Sequence, residues 1–308
     1  MSAAEKKLFR RDGEKPALPA RNKLDMAVLK ARLAALPPGV PHTLFLGLTS
    51  RCNLRCRHCK YSGAAPVKEM PRPLLARLLK QAAAAGVPRV VFFGGEPLLY
   101  KGLDAAVALA AGLGLFTELD TNGWALTRAR ASALARAGLA CAMISVHSGE
   151  EARHDALSGP GSFARALAAL RSARSAGLIT YVSSCVFAGG LRAPSLRRLL
   201  AFARQNGAQG ARLLPYAPPA GGGTPPAGLA ARLRRADPGG YAGTCSSPGT
   251  PGCAATRGEV LFCAPDGTVR SCPYAAAALG SAGKAPLAGF LSRRRGRPSS
   301  LFPCRTVC

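Results

Sequence analysis

Cys52, Cys56 and Cys59 lie in the run Cys52-Asn53-Leu54-Arg55-Cys56-Arg57-His58-Cys59, spaced C-x3-C-x2-C. Thiolates suit iron–sulfur clusters. Three of them cannot complete the ligation of a four-iron cluster; they hold three irons and leave the fourth open. An open iron is a place for a reacting molecule, so the triplet reads as an active site rather than an electron wire. Taken alone, the same thiols could also be three of four zinc ligands.

A scaffold must present this loop, and the sequence supplies alternating apolar strands and amphipathic helices. Strands are predicted at 44–49, 89–93, 116–121, 142–147, 180–187 and 211–216. Helices are predicted at 74–85, 104–113, 128–137, 162–176, 195–205 and 229–235, with one more at 25–35 near the start. Gly86, Gly138, Gly177 and Gly207 follow helices where a C-terminal glycine belongs. Six such β-α units imply an α/β fold with a parallel sheet and right-handed crossovers. Periodicity does not choose between an open doubly wound sheet and a complete or partial barrel. In either, ligands sit at the carboxyl ends of the strands. The unusual residues fall there in turn: the Cys triplet, then Gly94-Gly95-Glu96-Pro97, Thr121-Asn122-Gly123, and Ser145-Val146-His147-Ser148.

This set resembles the radical S-adenosylmethionine (radical SAM) superfamily, whose cluster motif the triplet matches. The resemblance implies a partial (β/α)6 TIM-like barrel. It implies a catalytic 4Fe-4S cluster on Cys52, Cys56 and Cys59, with S-adenosylmethionine chelating the open iron. Reductive cleavage would give a 5′-deoxyadenosyl radical that abstracts hydrogen from a substrate. Gly94, Gly95, Glu96 and Pro97 resemble the family's glycine-rich motif, whose backbone and Glu bind the methionine amino group. His58 stands where the family has an aromatic residue near the adenine, and Asn122 and Ser145 where polar strand ends contact the cofactor. Asn122 and Ser145 could instead cap turns. The run from Ser145 to Phe163 resembles members with an auxiliary-cluster domain, but it reads S-V-H-S where S-x-D-G is usual. That departure leaves the role of His147 open.

A second cysteine set, Cys245, Cys253, Cys263, Cys272, Cys304 and Cys308, follows the break at Pro218–Pro226. Cys253 and Cys272 flank a hairpin built on Asp266-Gly267. The spacing resembles the opening of a SPASM or shorter twitch extension, which implies an auxiliary 4Fe-4S cluster. Cys253 and Cys272 would be ligands, with Cys304 and Cys308 as partners inferred from supply and Cys245 as a competitor. Cys141, Cys185 and Cys263 lie on strands and read as core. The expected division is an N-terminal extension over 1–41, a radical SAM barrel over 42–237 and a Cys-rich twitch-like domain over 238–308.

The formal charge is +27, nearly all of it arginine spread along helices. Only Arg293-Arg294-Arg295 with Arg297 forms a dense run, without aromatic interleaving, so it reads as a solvated surface rather than a nucleic-acid site. The chain has no membrane-length apolar run and no apolar signal core at its start, which leads to an expected cytoplasmic location. The resemblance points to a peptide or protein substrate and a reducing partner such as a flavodoxin or ferredoxin. The N-terminal extension is short for the leader-recognition domain that some maturases carry. A small-molecule radical dehydrogenase or cofactor-biosynthesis enzyme is the alternative, and a non-catalytic metal- and nucleic-acid-binding protein is a further one.

Overall fold

The computed structural model describes residues 20–37, 39–59, 61, 66–187, 192–216, 228–244, 253–275 and 277–292. Helix α1 (Ala20–Ala34) precedes the first strand. Then come β1 (Thr43–Thr49), α2 (Arg72–Ala84), β2 (Arg89–Gly94), α3 (Leu103–Gly112), β3 (Phe116–Thr121), α4 (Arg128–Ala137) and β4 (Cys141–Ser145). The chain continues with α5 (Glu151–Ser158), α6 (Ser162–Ser175), β5 (Ile179–Val186), α7 (Ala193–Gln205), β6 (Gly210–Pro215), α8 (Leu229–Ala236) and β7 (Ala242–Thr244). Strands β8 (Val260–Cys263), β9 (Thr268–Arg270) and β10 (Ala278–Ser281) and helix α9 (Leu287–Ser292) follow.

The strand order is β10-β9-β8-β1-β2-β3-β4-β5-β6-β7. The run from β8 to β7 is parallel throughout, and β9 and β10 are antiparallel. The two faces of the sheet have different chemistry. Leu44, Leu46, Leu48, Val90, Phe92, Leu119 and Ile144 point outward into the main apolar core beneath the helices. The alternate positions carry Glu118, Asp120, Ser183 and Arg212, which meet each other on the inner face. Arg212 on β6 donates to Asp120 on β3 at 2.6 Å although β4 and β5 lie between. On a flat sheet three strand spacings separate such residues by roughly 14 Å. The sheet is therefore curled into a partial barrel, with its polar face inside.

The six expected β-α units are all present. Helix α4 shows why its boundaries were legible: Thr127 accepts from the Arg130 N–H at 3.2 Å at one end, and left-handed Gly138 closes the other. The expected hairpin is also present, with Gly267 in the left-handed region at φ 82°. Its position was not expected. Strand β8 pairs in parallel with β1, and β7 pairs with β6 at the opposite edge, so described residues beyond 237 extend both edges of the barrel sheet. Helix α9 adds Leu287, Phe290 and Leu291 to the main core. Arg77 of α2 also donates to the Ala282 carbonyl at 2.6 Å. Among the described residues, no helix is long and apolar enough to cross a membrane.

Candidate active site

The cysteine loop leaves the carboxyl end of β1 and is clamped at its base. Ser50 N–H donates to the Lys68 carbonyl at 2.8 Å, and Lys68 N–H returns a bond to Ser50 Oγ at 2.8 Å. The end of β2 lies against the loop's first residues, with Gly95 N–H donating to the Thr49 carbonyl at 2.7 Å and Glu96 N–H to the Arg51 carbonyl at 2.8 Å. Only glycine fits there. A Cβ on Gly94 would stand 2.4 Å from the Thr49 oxygen, and one on Gly95 would stand 2.3 Å from the Arg51 oxygen.

The three thiols border one cavity inside the barrel mouth, together with His58, Gly94, Gly95, Asn122 and Ser145. N–H groups point at two of the sulfurs: Leu54 N at 3.4 Å from Cys52 Sγ, and Tyr61 N at 3.4 Å from Cys59 Sγ. The Asn122 side chain adds a contact to Cys52 Sγ at 3.8 Å, and Cys56 Sγ donates to the Ser158 carbonyl at 3.9 Å. Burial pushes the Cys52 thiol up to about 11 and raises Cys56 as well. A bound metal deprotonates such thiols outright. Among the described residues, no three His, Cys, Asp or Glu side chains are grouped around a single metal ion. Three thiols around one cavity are the donor set that a multi-iron cluster takes. His58 also borders this space, and its Nδ1 is enclosed and without a hydrogen-bond partner. The donor set and the cavity therefore fit an iron–sulfur cluster.

The glycine-rich tetrapeptide divides into two parts. Gly94 and Gly95 reach the cavity, while Glu96 and Pro97 are buried behind its wall. The Glu96 carboxylate accepts from Thr121 Oγ1 at 2.7 Å, Asn122 N at 2.9 Å and Leu98 N at 3.0 Å. It joins the rims of β2 and β3. Burial raises its pKa, and the three donors oppose that shift. Asn122 faces the cavity and also shapes the chain. Its Oδ1 accepts from Trp124 N at 2.9 Å, and its Nδ2 donates to Asn53 Oδ1 at 2.9 Å.

His147, the departure from S-x-D-G, ties three elements together. Its Nδ1 accepts from Cys185 N at 3.1 Å, and its own N–H donates to His154 Nδ1 at 3.1 Å. Burial drives His147 far below the ordinary histidine range and His154 down to about 4. The ring is thus neutral, with its hydrogen assigned to Nε2 by the bond at Nδ1. It packs edge-on to His58, 4.4 Å between ring centres, and burial takes His58 down to about 4.

Sequence reasoning missed Asp120 and Arg212, which line the same cavity. The signal was present as two acidic residues, Glu118 and Asp120, two apart in an otherwise buried strand. It also missed an aromatic wall. The Phe93 ring lies 6.2 Å from Tyr61, 6.2 Å from Phe262 and 6.4 Å from Tyr274. Cys141 and Cys263 are buried, and Cys185 is buried yet also borders the cavity. In the second cysteine set, Cys253 and Cys272 fall in one small cluster with Ala255, Val260 and Ala275. Cys245, Cys304 and Cys308 lie outside the described residues.

Residues 46–201 match the family model of the Radical SAM superfamily, and the chain belongs to that superfamily. Among curated proteins it is 42% identical over 146 residues to GTP 3′,8-cyclase 2 of Mycobacterium tuberculosis, covering 45% of this chain and 40% of that protein. It is 38% identical over 136 residues to the PqqA peptide cyclase of Bradyrhizobium diazoefficiens, covering 42% of this chain and 35% of the relative. The chain thus spans less than half the length of either. Among solved structures, Streptococcus suis SuiB bound to S-adenosylmethionine superposes with a TM-score of 0.68 at 16% identity, over 89% of this chain and 72% of SuiB, which is a likeness of fold. SuiB has also been solved bound to its precursor peptide SuiA.

Proposed function

We propose that the chain is a radical SAM enzyme that modifies a peptide or protein side chain. The observation that carries this reading is the meeting of three cysteine thiols with the Gly94-Gly95 rim around one cavity of the partial barrel. Cys52, Cys56 and Cys59 would hold a 4Fe-4S cluster. Gly94, Gly95, Asn122, Ser145 and His58 would border S-adenosylmethionine, with Glu96 and Pro97 fixing that rim from behind. Bound and reduced, this pair of cofactors supplies a 5′-deoxyadenosyl radical. The chain's own residues orient the substrate and keep water from the radical. Cys253 and Cys272, with help from Cys245, Cys304 or Cys308, would hold an auxiliary cluster in a twitch-like segment.

The peptide reading draws on the PqqA peptide cyclase relative and on SuiB's complex with a peptide. The basic surface suits an acidic peptide, or an acidic reductant such as a flavodoxin or ferredoxin. A cytoplasmic setting goes with this reading, because it keeps the thiols reduced. The GTP 3′,8-cyclase relative favours a second reading, a small-molecule substrate. Against it, the inner arginines are already matched by carboxylates, Arg89 to Glu118 and Arg212 to Asp120, and a triphosphate would need those cations.

The test is anaerobic reconstitution with iron and sulfide, followed by dithionite and S-adenosylmethionine, comparing wild type with Cys56→Ala. About eight irons per chain, with 5′-deoxyadenosine formed only by wild type, is the expected result for two four-iron sites. About four irons with cleavage retained would remove the auxiliary cluster. No cleavage by a loaded wild type would sink the enzyme reading.

A further inference from the structure

The cysteine loop has two faces. Cys52, Leu54, Cys56 and His58 border the cavity. Asn53, Arg55 and Arg57 alternate with them and are exposed. The loop is therefore a wall one residue thick, with thiols inside and guanidinium groups outside. The strands that line the rest of the cavity have helices packed behind them. At the base of the loop, Arg51 and Lys68 are already paired within the chain, at 3.5 Å from Glu69 and 2.8 Å from Asp266. Among the described residues, no carboxylate pairs with Arg55 or Arg57. Val67 precedes the Lys68 that bonds Ser50, and this apolar side chain is left 49% exposed beside the loop base.

A radical SAM enzyme needs one electron delivered to its cluster, and electron transfer slows steeply with the thickness of protein crossed. The thinnest crossing here is the loop itself. Its outer guanidinium groups are planar forks that take carboxylates two-pronged. Cations gathered on one face steer an acidic protein toward it and set its on-rate. Val67 offers that protein an apolar contact as well. A substrate must enter the cavity, but Arg55 and Arg57 face away from it. The face therefore suits a partner that stays outside.

We propose that Arg55 and Arg57 dock a small acidic redox protein, which passes one electron through the cysteine loop to the cluster. The carrier loses that electron and the cluster gains it; no bond forms or breaks. This rests on the reading above that the three thiols hold a cluster, and it assigns the face through which that cluster is reduced.

The test is anaerobic stopped-flow reduction of the reconstituted enzyme, followed by bleaching of the cluster. One reductant is a purified flavodoxin in its hydroquinone form, an acidic protein. The other is photoreduced deazaflavin, a small molecule that needs no docking face. The variants are Arg55→Glu/Arg57→Glu and, as control, Arg136→Glu. Arg136 is exposed in the last turn of α4, near Gly138 and the start of β3, at the end of the barrel opposite the loop. At low salt, flavodoxin should reduce the double variant about tenfold more slowly than wild type, within the range of electrostatic steering. Added salt should slow wild type toward the variant. The control should stay within about twofold of wild type, since its changed charge lies outside the contact. Deazaflavin should reduce all three alike. An unchanged flavodoxin rate in the double variant would overturn the proposal, and weaker binding of an oligoglutamate peptide by that variant would then give the face to an acidic substrate. Equal slowing in the control would also overturn it, as an effect of overall charge. So would an equal loss with deazaflavin, because the arginines would then serve the cluster itself. Should the charge-reversed loop load no iron, Arg55→Gln/Arg57→Gln replaces it, with an expected slowing of about threefold. A wild type that holds no cluster, or one that deazaflavin cannot bleach, is a separate result: the cluster reading fails, and the docking face falls with it.

Discussion

Glu96 and Thr121 are joined by a 2.7 Å hydrogen bond from the threonine hydroxyl to Oε1, inside a carboxylate with no exposed surface. The same carboxylate holds Asn122 N through Oε2 at 2.9 Å, and the Asn122 side chain lies against Cys52. An acid in the glycine-rich rim thus sets the position of a cysteine on another strand's loop. Glu96→Gln keeps the volume but turns an NH2 group toward the Asn122 N–H, leaving a donor unmet. The expected loss is about 1–3 kcal/mol of unfolding free energy. Less iron should be retained on reconstitution. Denaturant unfolding of the apoprotein and an iron count measure the two effects, and a variant equal to wild type in both would refute the link.

Gly95 makes a different demand on the same junction. A methyl group there would meet the Arg51 carbonyl oxygen at 2.3 Å and that of Ser50 at 2.7 Å, both backbone atoms with no rotamer to escape through. Gly95→Ala must push the cysteine loop off the end of β2. Overpacking of this kind costs about 1–3 kcal/mol. The larger expected consequence is functional, with cluster occupancy falling well below half of wild type under identical reconstitution. Gly112→Ala, where nothing lies within 4 Å of an added Cβ, is the control and should load fully. Equal iron in the two variants would show that the close approach does not position the loop.

The barrel was legible because each β-α unit writes its own punctuation. Apolar runs end at polar rims, and glycines follow helices. The edges were not legible. Strand β7 is three residues long in a Gly- and Pro-rich stretch, and its pairing to β6 is set by tertiary contact. Helix α5 hides in Glu151–Ser158, too short and too polar to show a helical period. It is placed by Arg57 N–H bonding to the Leu157 carbonyl at 3.0 Å, a contact no local pattern encodes.

The site was legible where spacing itself is the signal. Cys52, Cys56 and Cys59 belong to one loop, and Gly94 and Gly95 to one turn. It was not legible where the curl of the sheet brings distant strands together. Asp120 and Arg212 are 92 residues apart, and only closure of the barrel makes them a pair. The sequence also could not show that Glu96 turns away from the cavity, because its direction depends on donors at Thr121 and Asn122.

Asp266 ties the C-terminal hairpin to the base of the cysteine loop. Burial alone would raise its pKa. The Lys68 ammonium at 2.8 Å and the Thr268 N–H at 3.0 Å instead hold it down to about 2. A carboxylate held low stabilises the fold when ionised. Its contribution is full above pH about 4 and is lost as pH falls toward about 2. The side chains are 36% and 52% exposed, so solvent screening leaves about 1 kcal/mol of that contribution. Asp266→Asn should therefore cost about 1 kcal/mol at pH 6 and about half of that at pH 3. Because Lys68 also bonds Ser50 across the loop base, amide exchange at Ser50 and Lys68 should quicken in the variant at pH 6. Denaturant unfolding at the two pH values and hydrogen exchange at those amides check the prediction. A penalty that does not shrink with acid would mean that the turn, and not the ion pair, holds the hairpin to the loop.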